Sequence, residues 1–343
     1  QSQDANADSV IWENTGSSSA NYAIQLNGAR HVQFKHITFK GDNSSYSRKI
    51  VFGSGADSVT IDSSKFLGYQ GANSNNHASI FGSSVYTPGL KIKNSTFTNG
   101  GNYAISLNAS SSSSPTGLEI TNNTMTNTYG GIYLYYFDGV TIRGNTIKGS
   151  YIINNGINLT YCDGANIIED NHIYAPDAYY GIFLNYCQAT SGSEATIINN
   201  LICVDDYGIY FNYGNYYQNV YYNTVKVHNN HALYHQSGSQ NNVFKNNIFY
   251  SESGTNAPLY VYNTGDFTAD YNDIFGSTAD PIKINSGNIS FAVYQAGGNG
   301  THSVNIPPLF VTDSTLVPTN PNLDNLGTPL SGLTDDINGI TRS

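Results

Sequence analysis

Short runs of alternating apolar and polar residues recur along this chain, separated by Gly and Asn. One phrase occurs four times: Gly131-Ile-Tyr-Leu-Tyr-Tyr136, Gly156-Ile-Asn-Leu-Thr-Tyr161, Gly181-Ile-Phe-Leu-Asn-Tyr186 and Gly208-Ile-Tyr-Phe-Asn-Tyr213. The steps from Gly131 to Gly156, to Gly181 and to Gly208 are nearly equal. Tyr22–Asn27 and Tyr103–Asn108 are degenerate copies. Alternation with period two places Ile and Leu on one face and the residues between them on the other, which predicts half-buried strands. A second phrase follows each copy and closes on an apolar residue: Phe39, Phe66, Phe97, Met125, Ile147, Ile173, Ile202, Val225, Ile248 and Ile274. A fixed period of this size predicts a solenoid whose stacked coils share one continuous core. Ten closing positions predict about ten coils.

Two residues before most of these positions stands Asn: Asn123, Asn145, Asn171, Asn200, Asn223, Asn246 and Asn272, with Ser64 and Ser95 earlier. Coils stack about 4.8 Å apart. An Asn at the same turn of each coil can bond the backbone of its own coil and the next, so this column predicts an asparagine ladder.

The Gly-Ile-x-Leu and Ile-x-x-Asn-x-Ile phrases, spread over most of residues 20–275, resemble the parallel β-helix repeats of the pectate-lyase-like superfamily. The resemblance implies an all-β, right-handed parallel β-helix with three sheets. Residues 1–276 are expected to form the helix. Residues 277–343 are expected to form an irregular last coil and a loop-rich C-terminal cap, because Pro281, Pro307, Pro308, Pro318, Pro321 and Pro329 cannot donate within a sheet. Pro308-Leu-Phe310 and the phrase from Thr334 to Arg342 resemble the closing segments of large secreted proteins of Bacteroidetes-type bacteria. That resemblance implies an excised module of a larger surface protein, with its other domains as partners.

Composition narrows the partners. Charged residues are only 11% of the 343, and the net charge is −10. An acidic chain lacks the basic face that nucleic acid requires. No apolar run approaches the roughly 20 residues that span a bilayer. Low charge with 28 Tyr suits an extracellular or cell-surface β-protein. Three Cys make no disulfide framework. Cys162 and Cys187, one coil apart, fit either a disulfide or two stacked buried thiols, and Cys203 has no evident partner.

Three groups of residues offer chemistry. Tyr133, Asn158, Phe183 and Tyr210 share one outward column, and Tyr135, Thr160, Asn185 and Asn212 share the next. Rings and amides in a strip suit a glycan, and equally suit cross-strand stacking that holds the sheet. Tyr136, Tyr161, Tyr186 and Tyr213 read as a tyrosine stack at a corner. Asp177 precedes Gly181, and Asp205 and Asp206 precede Gly208, so two carboxylates, with Tyr179, Tyr180 and Tyr207 around them, could flank one bond roughly 5–9 Å apart as glycoside hydrolysis needs. Asp also begins turns. His228, His231 and His235 cluster in sequence without a neighbouring Cys or carboxylate, and no metal or other cofactor is expected. The catalytic set that the superfamily's lyases, epimerases and polygalacturonases imply has no matching motif here. The leading expectation is a surface module that binds carbohydrate or acts as an adhesin. The alternatives are a glycan-degrading enzyme, hydrolase rather than lyase, and a purely structural stalk.

Overall fold

The computed structural model describes residues 6–70, 73–263 and 267–341. Arg342, the last residue of the closing phrase, lies outside them. Among the described residues, three sheets of eleven, twelve and ten strands run the length of the molecule, parallel throughout except for the last strand of the second, Gly287–Ile289, which pairs antiparallel with Ile282–Ile284. Each coil contributes one strand to each sheet in turn. The first sheet runs from Ile11–Glu13 to Asp273–Gly276, the second from Ile24–Leu26 to Gly287–Ile289, and the third from Gln33–Lys35 to Phe267–Asp270. The chain is therefore an all-β parallel β-helix, as the repeat predicts.

Register follows the apolar pattern. In the second sheet Ile132, Ile157, Ile182, Ile209, Leu233 and Leu259 pair in one column, all buried. In the first sheet Phe39, Phe66, Phe97, Met125, Ile147, Ile173, Ile202, Val225, Phe249 and Ile274 form another. Ile248 is one residue out of place: it pairs with Thr224, and the inward position belongs to Phe249.

The same one-residue correction applies to the ladder. Its members are Asn123, Asn145, Asn171, Asn200, Asn223, Asn247 and Asn272. Each backbone N–H donates to the next Oδ1 at 3.0 Å. Ser95 leads into the ladder and Ser303 Oγ ends it. Asn246 occupies the preceding position, where the backbone is left-handed (φ 58°), as it is at Asn122, Asp170 and Asn199. Asn tolerates that conformation better than most residues, so two consecutive asparagines serve two different needs.

The glycine of the repeated phrase is set by close approach between coils. A Cβ on Gly131, Gly156 or Gly181 would meet the carbonyl oxygen of the equivalent glycine one coil on. The tyrosines that end the phrase turn the corner. Tyr136, Tyr161 and Tyr186 have φ of 60°, 53° and 53°, and their rings stack at 5.0 and 5.1 Å.

Residues beyond the last full coil do two things. The helix Phe291–Ala296 puts Tyr294 into the core at the end of the solenoid. The segment from Pro307 onward then runs back along the flank of the coils. Phe310 packs on Tyr250, Asp313 pairs with Lys226, Thr328 bonds Asn246, and the Asp335 carbonyl accepts from Asn199.

Candidate functional site

The outward column of the second sheet is longer than the repeated phrase suggested. Phe183 pairs with Tyr210, Tyr210 with Tyr234, and Tyr234 with Tyr260. Phe183 and Tyr210 stack at 5.5 Å, Tyr210 and Tyr234 at 4.5 Å, and Tyr260 meets Tyr234 edge-on at 4.6 Å. A second set stands beside it. Tyr180 and Tyr207 pair across adjacent coils just before Gly181 and Gly208, with centroids 5.4 Å apart. Their planes lie 72° and 88° from that of Tyr210. The two sets are the half-buried walls of an aromatic corner. His231 closes one end, against Tyr207, Tyr234 and Tyr260. Burial, and then the neighbouring phenols, push the pKa of Tyr180, Tyr210 and Tyr234 well above the usual tyrosine value. All three hydroxyls therefore keep their protons as donors.

The strip expected from the sequence is divided by this geometry. Phe183 and Tyr210 sit in the corner. Tyr133 and Tyr135 lie further along, with Tyr133 stacked on Tyr103 at 5.2 Å. Asn158 is only 8% exposed, and its Oδ1 accepts from Thr160 Oγ1 at 3.0 Å. Asn212 donates its amide to Asn185 Oδ1 at 3.0 Å, extending the strip as a short amide ladder. Tyr180 and Tyr207, expected only around the carboxylates, and Tyr234 and Tyr260, not expected at all, complete the corner. Tyr180 and Tyr207 stand before the glycine rather than after it, and Tyr234 and Tyr260 belong to coils in which Ala replaces that glycine or the phrase has drifted.

The carboxylates fall on neighbouring turns. The backbone N–H groups of Asp205 and Asp206 both donate to the Ala178 carbonyl, which seats their turn on that of Asp177. Asp177 is exposed. Asp205 Oδ1 accepts from Asn229 at 2.6 Å. Asp206 lies beside Tyr180 and Tyr207, at the rim of the corner. Burial, followed by the Asp205 charge, raises its pKa, against an opposing hydrogen bond from Asn230.

The three histidines are not a cluster in space. His235 points inward among Phe211, Phe244 and Phe267 and accepts from Asn242 on Nε2 at 2.9 Å. His231 donates Nδ1–H to the Ala257 carbonyl at 2.6 Å. Burial lowers both pKa values to about 4, so both rings are neutral. His228 lies on the first-sheet side, and there the expectation of no Cys or carboxylate partner fails. Its Nε2 is 3.8 Å from Cys203 Sγ, and its Nδ1 is 2.7 Å from Glu252 Oε2. Asp313 arrives from the flank segment, so that Cys203, His228 and Asp313 each place a ligand atom within 4.8 Å of the others. Lys226 bonds both Glu252 and Asp313 at 2.6 Å. Burial, then Asp313, raise the Cys203 thiol to about 12. These donors lie far apart in the sequence, from Cys203 to Asp313, which is why no local spacing signalled them. Cys162 and Cys187 are free thiols, each donating to a carbonyl of the preceding coil.

Comparison with known proteins adds a family and a fold. The family described as "Periplasmic copper-binding protein (NosD)" matches residues 42–241 and, in a second overlapping alignment, 115–298. The two alignments overlap over residues 115–241. No curated protein matches the chain. Among solved structures, the Dettilon tailspike protein (gp208) is similar at a TM-score of 0.54 and 17% identity. The match covers 77% of this chain and 55% of that one, so the chain spans about half the length of the tailspike. At that identity the likeness is one of fold.

Proposed function

Because the chain belongs to the NosD family, a periplasmic and hence exported family of β-helix proteins, we propose that it works outside the cytoplasm as a carbohydrate-binding rod, with the aromatic corner of the second sheet as its binding surface. The observation that carries this reading is the pair of ring walls, Tyr180–Tyr207 and Phe183–Tyr210–Tyr234, set nearly at right angles. Rings stacked on one another hide their faces and show their edges. Two such walls at right angles offer a sugar the ring edges of both and hydroxyl donors from two directions, with a ring face only at the end of a stack. Tyr133 and Tyr135 extend the same surface towards the N-terminal coils, with Asn158 between Tyr133 and Phe183 in the column, and Asn185 and Asn212 stand beside Phe183 and Tyr210 in their own coils.

A glycan array, with release of reducing ends and unsaturated products followed in the same wells, tests the proposal. Binding without product, weakened about tenfold or more in Tyr207→Ala and Tyr234→Ala, is the expected result. Binding left intact by both substitutions would move the site elsewhere.

A second reading follows from one observation, the raised carboxyl of Asp206 at the rim of the corner. A carboxyl that holds its proton more tightly beside a sugar-sized surface suits a general acid, with Asp177 or Asp205 as its partner in glycoside hydrolysis. Product release that disappears in Asp206→Asn would replace the binding reading by this one.

The family description also names copper. The donors that suit a soft ion are the Cys203 thiol and the His228 imidazole, with Asp313 beside them. The residues therefore fit a metal, at a place distinct from the aromatic corner.

A further inference from the structure

Cys203 belongs to an outward column of the first sheet, paired with Tyr174 on one side and Lys226 on the other. Outward side chains of a β-helix face solvent, yet Cys203 is 1% exposed. The segment after Pro307 covers it: Phe310 packs on Tyr250, Asp313 reaches Lys226, and Leu316 is buried. The thiol is thus enclosed between the rod and a segment from the far end of the chain, with an imidazole and a carboxylate as neighbours.

We propose that Cys203 Sγ, His228 Nε2 and the carboxylate of Asp313 bind one divalent first-row metal ion of the zinc class, and that this ion ties the C-terminal flank segment to the first sheet.

Three observations support it. The first is distance. Bonds of about 2.3 Å to sulfur and 2.0–2.1 Å to nitrogen at the tetrahedral angle put the two ligand atoms roughly 3.6 Å apart, close to the separation found here. Sγ and Nε2 are 3.8 Å apart, too far for a strong hydrogen bond and right for a shared ion. The second is orientation. Glu252 Oε2 takes the Nδ1–H of His228 at 2.7 Å, which leaves the Nε2 lone pair facing Cys203, as in carboxylate–histidine–metal arrangements. The third is the donor set: a thiol, an imidazole and a carboxylate are the ligand types that divalent zinc takes in proteins. Lys226 holds Oδ1 of Asp313, so the other oxygen is the ligand. Three protein ligands leave a fourth position for water. A nucleophilic role for Cys203 is the poorer account, because a side chain 1% exposed admits an ion and excludes a substrate.

The test uses the full chain, stripped with chelator and then offered zinc(II), or copper(I) under anaerobic reducing conditions. Metal retained after desalting and the rate of proteolysis within residues 307–341 are both measured. The expected result is one zinc per chain and slower cleavage of the flank segment. Cys203→Ser should abolish retention, and Asp313→Asn, on a side chain 44% exposed and therefore safe for folding, should weaken it about tenfold or more and remove the protection. Zinc retained equally by Cys203→Ser and Asp313→Asn, or cleavage indifferent to zinc in the parent chain, would overturn the proposal. Retention of copper(I) but not zinc would overturn the divalent assignment.

Discussion

Asn247 Oδ1 accepts the backbone N–H of Asn223 at 3.0 Å and, at the same distance, one of its amide protons, while Asn247's own amide donates to the Val220 carbonyl one coil back. Asn247 thus satisfies backbone groups of its own coil and of the coil before it, while its own N–H donates to Asn272 Oδ1 of the next, in an interior that water does not reach. Asn246, one residue earlier, serves the flank segment instead, accepting from Thr328 N and donating to Thr328 O, both at 2.8 Å.

Asn171→Ala should cost at least about 2 kcal/mol. It leaves the Asn145 N–H and the Ile142 carbonyl unsatisfied in the core, and each orphan costs roughly 1–3 kcal/mol. Asn246→Gly should cost much less, because its partners lie near the surface and glycine keeps the left-handed backbone without strain. Denaturant unfolding of the two variants distinguishes the ladder position from its neighbour.

Lys49 is buried without a hydrogen-bond partner for Nζ among the described residues, and burial lowers its pKa to about 7, partly offset by Asp42. The unfolded chain binds this proton up to the ordinary lysine value, so between about pH 7 and that value the unfolded state holds more protons. Parent stability therefore rises with pH across this window. Lys49→Met should melt higher than the parent at pH 7, by several degrees (roughly 2–4 °C per kcal/mol at this size), and its advantage should shrink towards pH 10. An advantage that is absent at pH 7, or that grows with pH, would contradict an uncompensated buried ammonium.

Gly181→Ala should be severely destabilising. Its Cβ would collide with Ile202 and with the Gly208 carbonyl, and neither can withdraw without breaking the pairing of adjacent coils. Gly192→Ala is the control for size, having nothing within 4 Å of its Cβ but a φ of +82°, so it should cost only about 1 kcal/mol of backbone strain. Soluble yield and melting temperature report both.

The three thiols should be silent in the native state and appear together on unfolding. Cys162, Cys187 and Cys203 are free and buried, and burial raises the thiols of Cys162 and Cys203. A thiol-reactive chromophore should count none in buffer and three in denaturant without reductant. Only one in denaturant would mean a Cys162–Cys187 disulfide.

The architecture was legible in the sequence because each coil obeys local rules that repeat. Period-two alternation chose the inward residues, the Gly-Ile phrase marked close approach between coils, and the Asn column marked the ladder, with an error of one residue where Asn246 and Asn247 stand together. The corner tyrosines were found for the same reason. What lay outside the repeat was invisible to it. Tyr180 and Tyr207 enter the aromatic corner from the position before the glycine, and the right angle between the ring walls depends on side-chain rotation, which no spacing encodes. Cys203, His228, Glu252 and Asp313 meet because three coils stack and a segment returns along their flank. Stacking makes residues one period apart neighbours wherever the period holds. Only the path of the aperiodic C-terminal segment brings Asp313 to them, and that path is decided by tertiary packing.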